Sequence, residues 1–75
     1  MITTNESAIS IDREIMSGVP VFTGTRVPVS ALLENLEVGV SLDEFLENFP
    51  TVTREQAVSV LEHFRASLND ISLAA

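Results

Sequence analysis

The residues that could carry chemistry are few, and the most distinctive of them form the triplet Gly24-Thr25-Arg26. A guanidinium is planar and matches the geometry of a carboxylate or a phosphate. One interpretation therefore makes Arg26 a contact for a phosphate or for the carboxylates of a partner. In the other, Gly24 and Thr25 shape a turn, and Arg26 pairs within the chain with an acid such as Glu62.

The remaining residue types do not assemble into a catalytic or metal-binding pattern. There is no cysteine and one histidine, His63, which excludes disulfides, thiolate zinc sites, cysteine catalysis and histidine-based metal clusters. Asp43 and Glu47 share a face of a predicted helix, but hard cations need several converging oxygens, so a solvated helix face is expected. The sequence offers no nucleophile–base pair and no phosphate-binding loop. We expect a protein that is not an enzyme and uses no cofactor or metal.

The last predicted helix carries the candidates for contacts with DNA. They are Arg54, Glu55, Ser59 and Arg65. Arg, Asn and Gln read base edges, and Lys and Arg contact phosphates, but the four basic residues of this chain are all Arg and its net charge is −7. Residues 30–50 hold five acids and no base. Charge alone therefore favours a protein partner over a nucleic acid.

Three helices are predicted to position these residues. They cover Val29–Val38, a segment from Ser41 to the residue before Pro50, and Thr53–Leu68. Ser41 with Glu44 and Thr53 with Gln56 have the spacing of capping boxes, and Gly39 ends the first helix. The short connection between the second and third helices suits a helix-turn-helix. The third helix has an apolar stripe of 3.6-residue period that consists of Ala57, Val60, Leu61, Phe64 and Leu68.

A β arm precedes the helices. Alternation over Ala8–Ile11 and the run Val19–Phe22 predict two short strands, and Pro20, which lacks an N–H, predicts that the second strand lies at an edge. Five apolar residues of the arm either cover the helices or form an intermolecular sheet in a homodimer: Ile9, Ile11, Val21, Phe22 and Val27. A chain of this size buries only roughly 60% of its unfolded surface, so we expect a homodimer to supply further burial.

The pattern predicts one domain over residues 8–68, with a β arm at 8–28 and a three-helix core at 29–68. Residues 1–7 are expected to be a flexible arm, and residues 69–75 a loosely ordered tail or an extension of the third helix. The tail contains Ile71 and Leu73, two apolar candidates for partner binding. No apolar run is long enough to span a membrane, and the N-terminal residues do not resemble a signal peptide. We therefore expect a cytoplasmic protein without membrane contact.

Three segments contain an ordered series of motifs. The first segment, Gly18–Val29, contains a Gly-x-Pro turn followed by Gly-Thr-Arg-x-x-Val. The second, Gly39–Leu46, contains the glycine that ends a helix and then Ser-x-x-Glu. The third, Phe49–Gln56, contains a proline before the last helix. In this series the chain resembles the family named domain of unknown function 433 (DUF433), over about residues 8–65.

The resemblance implies a mainly α fold, in which an N-terminal β arm or hairpin precedes a homeodomain-like helix-turn-helix core of three helices. It also implies a non-catalytic, VapB-type antitoxin of a type II toxin–antitoxin pair, whose usual partner is a toxin with a PIN-like ribonuclease fold. Arg26 would then plug the acidic metal site of that nuclease, and the last helix would bind operator DNA as part of a dimer. The alternative is an acidic protein–protein interaction module with no nucleic-acid role.

Overall fold

The chain folds into a small antiparallel β arm followed by three helices. The computed structural model describes the backbone of residues 8–74 and the side chains of residues 8–69. The elements are β1 (Ile9–Ser10), a single 3₁₀ turn (Met16–Gly18), β2 (Val21–Phe22), α1 (Val29–Glu37), α2 (Leu42–Asn48) and α3 (Arg54–Ala74). The expected mainly helical fold with a short N-terminal β pair is confirmed, whereas the predicted flexible arm at residues 1–7 lies outside the described residues.

Strand β2 forms backbone hydrogen bonds on both sides, with β1 and with residues 27–29. On one side it pairs with β1 in antiparallel register, with Ile9 opposite Phe22. On the other side the Phe22 N–H donates to the Val27 carbonyl at 3.0 Å, and the Val29 N–H donates to the Pro20 carbonyl at 2.9 Å. Within residues 8–74 the sheet has only these two strands, so β2 is an edge strand as expected, but an isolated bridge to Pro28 covers its other side. Pro20 precedes β2 and contributes only its carbonyl to this contact.

The connection between the strands contains a left-handed turn. Met16 has a φ of +53° and Ser17 a φ of +58°, values that side chains with a Cβ adopt at a cost. The Gly18 N–H donates to the Ile15 carbonyl at 3.1 Å, and the Val19 N–H donates to the Met16 carbonyl at 3.2 Å. This turn sets the direction in which the chain enters β2.

The helix ends follow the predicted capping patterns. The Ser41 hydroxyl accepts from the Glu44 N–H at 3.1 Å, and Thr53 and Gln56 form a reciprocal box with bonds of 3.1 and 3.0 Å. Gly39 has a φ of +93°, and two backbone bonds close a Schellman motif at the end of α1: Gly39 N–H to Leu36 carbonyl and Val40 N–H to Asn35 carbonyl. Local sequence thus determines where α1 ends and where α2 and α3 begin.

The core lies where β2 meets the helices. Its fully buried large side chains are Val21, Phe22, Leu32, Phe45 and Val60. The rings of Phe22 and Phe45 are 6.3 Å apart, so the β arm packs directly on α2. The arm therefore covers the helices of its own chain, which is one of the two alternatives for its apolar residues. Ile9 and Val27 are half-buried against this core, and Ile11 is 68% exposed.

Helix α3 continues into the predicted tail, which is one of the two alternatives for residues 69–75. It continues from Arg54 to Ala74, so Ile71 and Leu73 belong to a helix, although their side chains lie outside the described residues. Along its apolar stripe, Ala57 and Val60 are buried, but Phe64 is 37% and Leu68 61% exposed. The predicted apolar stripe is therefore buried only in its first half, because every residue from 62 to 69 is exposed and α3 extends beyond the elements that cover that first half.

Candidate functional site

The Gly24-Thr25-Arg26 triplet forms the tip of the loop between β2 and α1. The Thr25 N–H donates to the Phe22 carbonyl at 2.9 Å, which closes a β-turn in which Gly24 has a φ of +82°. The Thr25 hydroxyl also donates to the Phe22 carbonyl, at 2.8 Å, and accepts from the Val27 N–H at 3.0 Å. These bonds fix the backbone immediately before and after Arg26.

A side chain from α3 holds this loop in place. The Gln56 amide nitrogen donates to the Thr23 carbonyl at 2.9 Å, while its amide oxygen accepts from the Thr53 N–H. One residue therefore caps α3 and fastens the Gly24 turn to the start of that helix. Sequence reasoning assigned Gln56 to the cap alone, because no local pattern indicates a bond between residues 33 positions apart.

Arg26 is exposed at this fixed position. Among the side chains of residues 8–69 it forms no ion pair, and Glu62, its predicted internal partner, pairs instead with Arg65. Gly24 and Thr25 do shape the turn through local bonds, as the second interpretation predicts. The pairing of Arg26 with Glu62 in that interpretation is wrong, and the guanidinium is available to a partner.

The predicted DNA-contact residues do not form one exposed basic surface. Arg54 pairs with Asp43 of α2, and Arg65 pairs with Glu62 one turn before it on α3. Ser59 is only 8% exposed, so the expectation that it faces outward is wrong: it lies on the side of α3 that contacts the rest of the chain. Glu55 is exposed and adds a negative charge. Both arginines of this face are compensated within the chain.

Acidic side chains dominate the rest of the described surface. Four exposed acids of α1 and α2 form no ion pair with residues 8–69: Glu34, Glu37, Glu44 and Glu47. Their negative potential attracts basic partners and repels phosphates. Within the described side chains, no group of three or more His, Asp and Glu residues is arranged to hold a metal ion. None of the helices in the described part combines the length and apolar character needed to span a bilayer.

An apolar groove of about 330 Å³ opens between the β arm and the helices. Its apolar walls include Ile9, Ile11, Val19, Val29, Leu33 and Phe64. Ser30 and His63 are polar residues that also line it, and the lining contains no Asp, Glu, Lys or Arg. Sequence reasoning did not find this groove, because its walls come from four separate segments that only the tertiary fold brings together.

Comparisons with known proteins identify a family and a fold. A family profile described as "Protein of unknown function (DUF433)" matches residues 9–63. The chain is also similar to the crystal structure of a DUF433 member protein from Anabaena variabilis ATCC 29413, with a TM-score of 0.71 and 23% sequence identity. That similarity covers 92% of this chain and 68% of the other. The comparison with curated proteins gives no match.

Proposed function

This chain belongs to the DUF433 family, and we propose from that membership and from the geometry of Arg26 that it is the non-catalytic antitoxin of a type II toxin–antitoxin pair. It neutralises a toxin with a PIN-like ribonuclease fold. One observation carries the proposal: Arg26 is an exposed guanidinium on a hydrogen-bonded loop, and it forms no ion pair among the described side chains.

The chemistry of a metal-dependent nuclease supports a role for Arg26. Such enzymes gather carboxylates to hold the divalent ion that activates water and stabilises the phosphate. A guanidinium can bind two carboxylate oxygens at once, so Arg26 occupies the position that the metal and the RNA phosphate need. The loop is already ordered by Thr25 and Gln56, which lowers the entropic cost of inserting it.

The charge of the remaining surface supports the same partner. Seven of the nine acidic residues between 8 and 69 form no ion pair with the described side chains. A ribonuclease contacts the RNA backbone with Lys and Arg, so its substrate surface is complementary to this acidic face. Complementary charge steers association and favours this partner over an acidic one. Arg26 then reaches the carboxylates at the centre of a basic surface.

Co-expression with the nuclease-like product of the adjoining reading frame tests the proposal. We expect the wild-type chain to restore growth and to inhibit cleavage of a fluorescent RNA by the purified nuclease. Arg26→Gln should raise the concentration needed for half-inhibition about 10- to 100-fold, the effect of losing a charged hydrogen-bonded contact. Arg13→Gln is the matched control, because Arg13 is also exposed and forms no ion pair with residues 8–69.

Three results would contradict the proposal. The adjoining frame could encode no nuclease, the wild-type chain could fail to inhibit it, or Arg26→Gln could inhibit as well as wild type. If Arg13→Gln loses as much inhibition as Arg26→Gln, the effect is not specific to the Arg26 loop.

A second candidate function is an acidic protein–protein interaction module with no nucleic-acid role. The intramolecular pairing of Arg54 with Asp43 and of Arg65 with Glu62 favours it. In the antitoxin proposal, operator DNA is bound only by the complex, as a dimer of α2–α3 helix-turn-helix units, because the toxin compensates the net charge of −7. A gel-shift titration at low salt, with and without the toxin, separates the two functions: the interaction module produces no shift in either case.

A further inference from the structure

We propose that Gln56 is the positioning residue for Arg26. Its hydrogen bond to the Thr23 carbonyl orients the loop between β2 and α1, and with it the guanidinium that binds the carboxylates of the partner. This inference rests on the proposed function, because it assigns a second residue to that same contact. Gln56 acts through Arg26, whereas Thr25 fixes only the shape of the turn.

The hydrogen bonds of Thr25 are local. Its N–H and its hydroxyl both donate to the Phe22 carbonyl, at 2.9 and 2.8 Å, and its hydroxyl accepts from the Val27 N–H at 3.0 Å. These bonds join residues of the segment 22–27, so they move together with the turn and leave its tilt relative to the helices undetermined. A Cβ at Gly24 would meet nothing within 4 Å, so packing does not hold the tip of the turn either.

Thr23 is the point at which the loop is attached to the rest of the domain. Its N–H donates to the carbonyl of Ala8, next to β1, at 2.9 Å, and its carbonyl accepts from the Gln56 amide nitrogen at 2.9 Å. The Gln56 side chain is itself fixed, because its amide oxygen accepts from the Thr53 N–H at 3.0 Å. The strand pair and α3 therefore hold the two backbone groups of Thr23, and Gln56 supplies the attachment to the helix.

The orientation of this loop matters for Arg26 because a guanidinium binds a carboxylate through two parallel N–H groups. Such a contact requires the guanidinium to approach in one plane, and a loop that tilts freely spends part of its time with the N–H groups misaligned. The cost of ordering the loop on binding then lowers the affinity. The net contribution of one neutral hydrogen bond corresponds to about 3- to 10-fold in affinity, which is the loss we expect when the Gln56 donor is removed.

The test is a double-mutant cycle in the RNA-cleavage assay with the nuclease of the adjoining reading frame. Gln56→Glu keeps an oxygen for the Thr53 N–H but has no donor for the Thr23 carbonyl. It should raise the concentration needed for half-inhibition about 3- to 10-fold in the wild-type chain. Combined with Arg26→Gln it should add less than about twofold, because the loop then carries no guanidinium to orient, whereas a merely structural role of Gln56 would cost the same in both backgrounds.

Two further variants separate the loop bond from charge and from the helix cap. Val58→Glu adds the same negative charge two residues later on α3, at a side chain that is 40% exposed, and should inhibit like wild type. Gln56→Met adds no charge and removes both bonds, so it should lose at least as much inhibition as Gln56→Glu. Loss in Gln56→Met with full inhibition by Gln56→Glu would mean that the cap alone matters, and would overturn the inference. Circular dichroism checks that each variant is folded.

The free chain gives an independent readout. NMR relaxation should show larger motions of the Gly24 and Arg26 backbone amides in Gln56→Glu than in wild type or in Val58→Glu. An equally rigid loop, an equal loss of inhibition in both Arg26 backgrounds, or the same loss in Val58→Glu would overturn the inference while the proposed function stands. A wild-type chain that fails to inhibit, or full inhibition by Arg26→Gln, would overturn the proposed function and this inference together, so the two failures are distinguishable.

Discussion

The side-chain amide of Gln56 joins the first turn of α3 to the Thr23 carbonyl, 33 residues earlier in the chain, through a hydrogen bond of 2.9 Å. Its amide oxygen accepts from the Thr53 N–H at 3.0 Å. The stability of the α3 cap and the position of the Arg26 loop are therefore linked through one side chain. A glutamate would satisfy the cap but could not donate to the loop, so the two roles can be separated by substitution.

We expect Gln56→Glu to keep the capping box and lose the bond to Thr23, lowering the free energy of unfolding by about 1 kcal/mol. Gln56→Ala loses both bonds and should cost about 1–2 kcal/mol. Urea unfolding measures these differences. Amide hydrogen exchange at Thr25 and Val27 should become faster in both variants, since the loop is no longer tied to α3. Unchanged exchange in Gln56→Glu would show that Thr25 alone orders the loop.

Local sequence predicts the helix ends well, because Ser41, Thr53 and Gly39 act on backbone groups within four residues. The bridge on the second side of β2 was not predictable, since Pro20 contributes a carbonyl to Val29, a neighbour that a local pattern does not indicate. The exposure of Phe64 was not predictable either: the helical period gives the face on which it lies, but not where the packed part of α3 ends.

The residue types and the local turn of the candidate site were predictable, but its ion pairs and the groove were not. The triplet Gly24-Thr25-Arg26 predicts a turn, because glycine readily adopts a positive φ. Arg54 pairs with Asp43, and Arg65 pairs with Glu62. These ion pairs were not predicted, because they depend on which acids the fold places beside each arginine. The apolar groove required the tertiary arrangement of four segments.

Gly39 provides a test of the Schellman motif at the end of α1. A Cβ at this position would contact nothing within 4 Å, so substitution acts through the backbone φ of +93° alone. We expect Gly39→Ala to lower the free energy of unfolding by about 1 kcal/mol or more, and Gly39→Asn to cost less because asparagine tolerates positive φ. Equal costs for the two variants in urea unfolding would mean that φ is not the cause.

Ser17 should be a site of stabilisation. It is exposed and has a φ of +58° and a ψ of +30°, a left-handed conformation that costs roughly 1–2 kcal/mol for a residue with a Cβ. Ser17→Gly removes this cost but makes the unfolded chain more flexible, so we expect a net gain of about 0.5–1 kcal/mol in thermal or urea unfolding. Ser17→Ala keeps the Cβ and is the control. A gain in Ser17→Ala equal to that in Ser17→Gly would contradict the explanation.

The compensated arginines of α3 allow the DNA role of this helix to be tested without the toxin. Asp43→Asn combined with Glu62→Gln removes the partners of Arg54 and Arg65 and two negative charges. Glu34→Gln combined with Glu37→Gln removes the same charge from α1, where neither acid pairs with a described side chain.

If α3 contacts DNA, the Asp43→Asn/Glu62→Gln variant should bind a short duplex at least tenfold more tightly than the Glu34→Gln/Glu37→Gln variant at about 50 mM salt, because Arg54 and Arg65 then contact phosphates instead of carboxylates. Its affinity should also fall more steeply with salt, by a slope difference of about two. Exposed ion pairs contribute roughly 0–1 kcal/mol, so both variants remain folded. Equal affinities for the two variants would show that net charge alone acts, and would favour the interaction module without a nucleic-acid role.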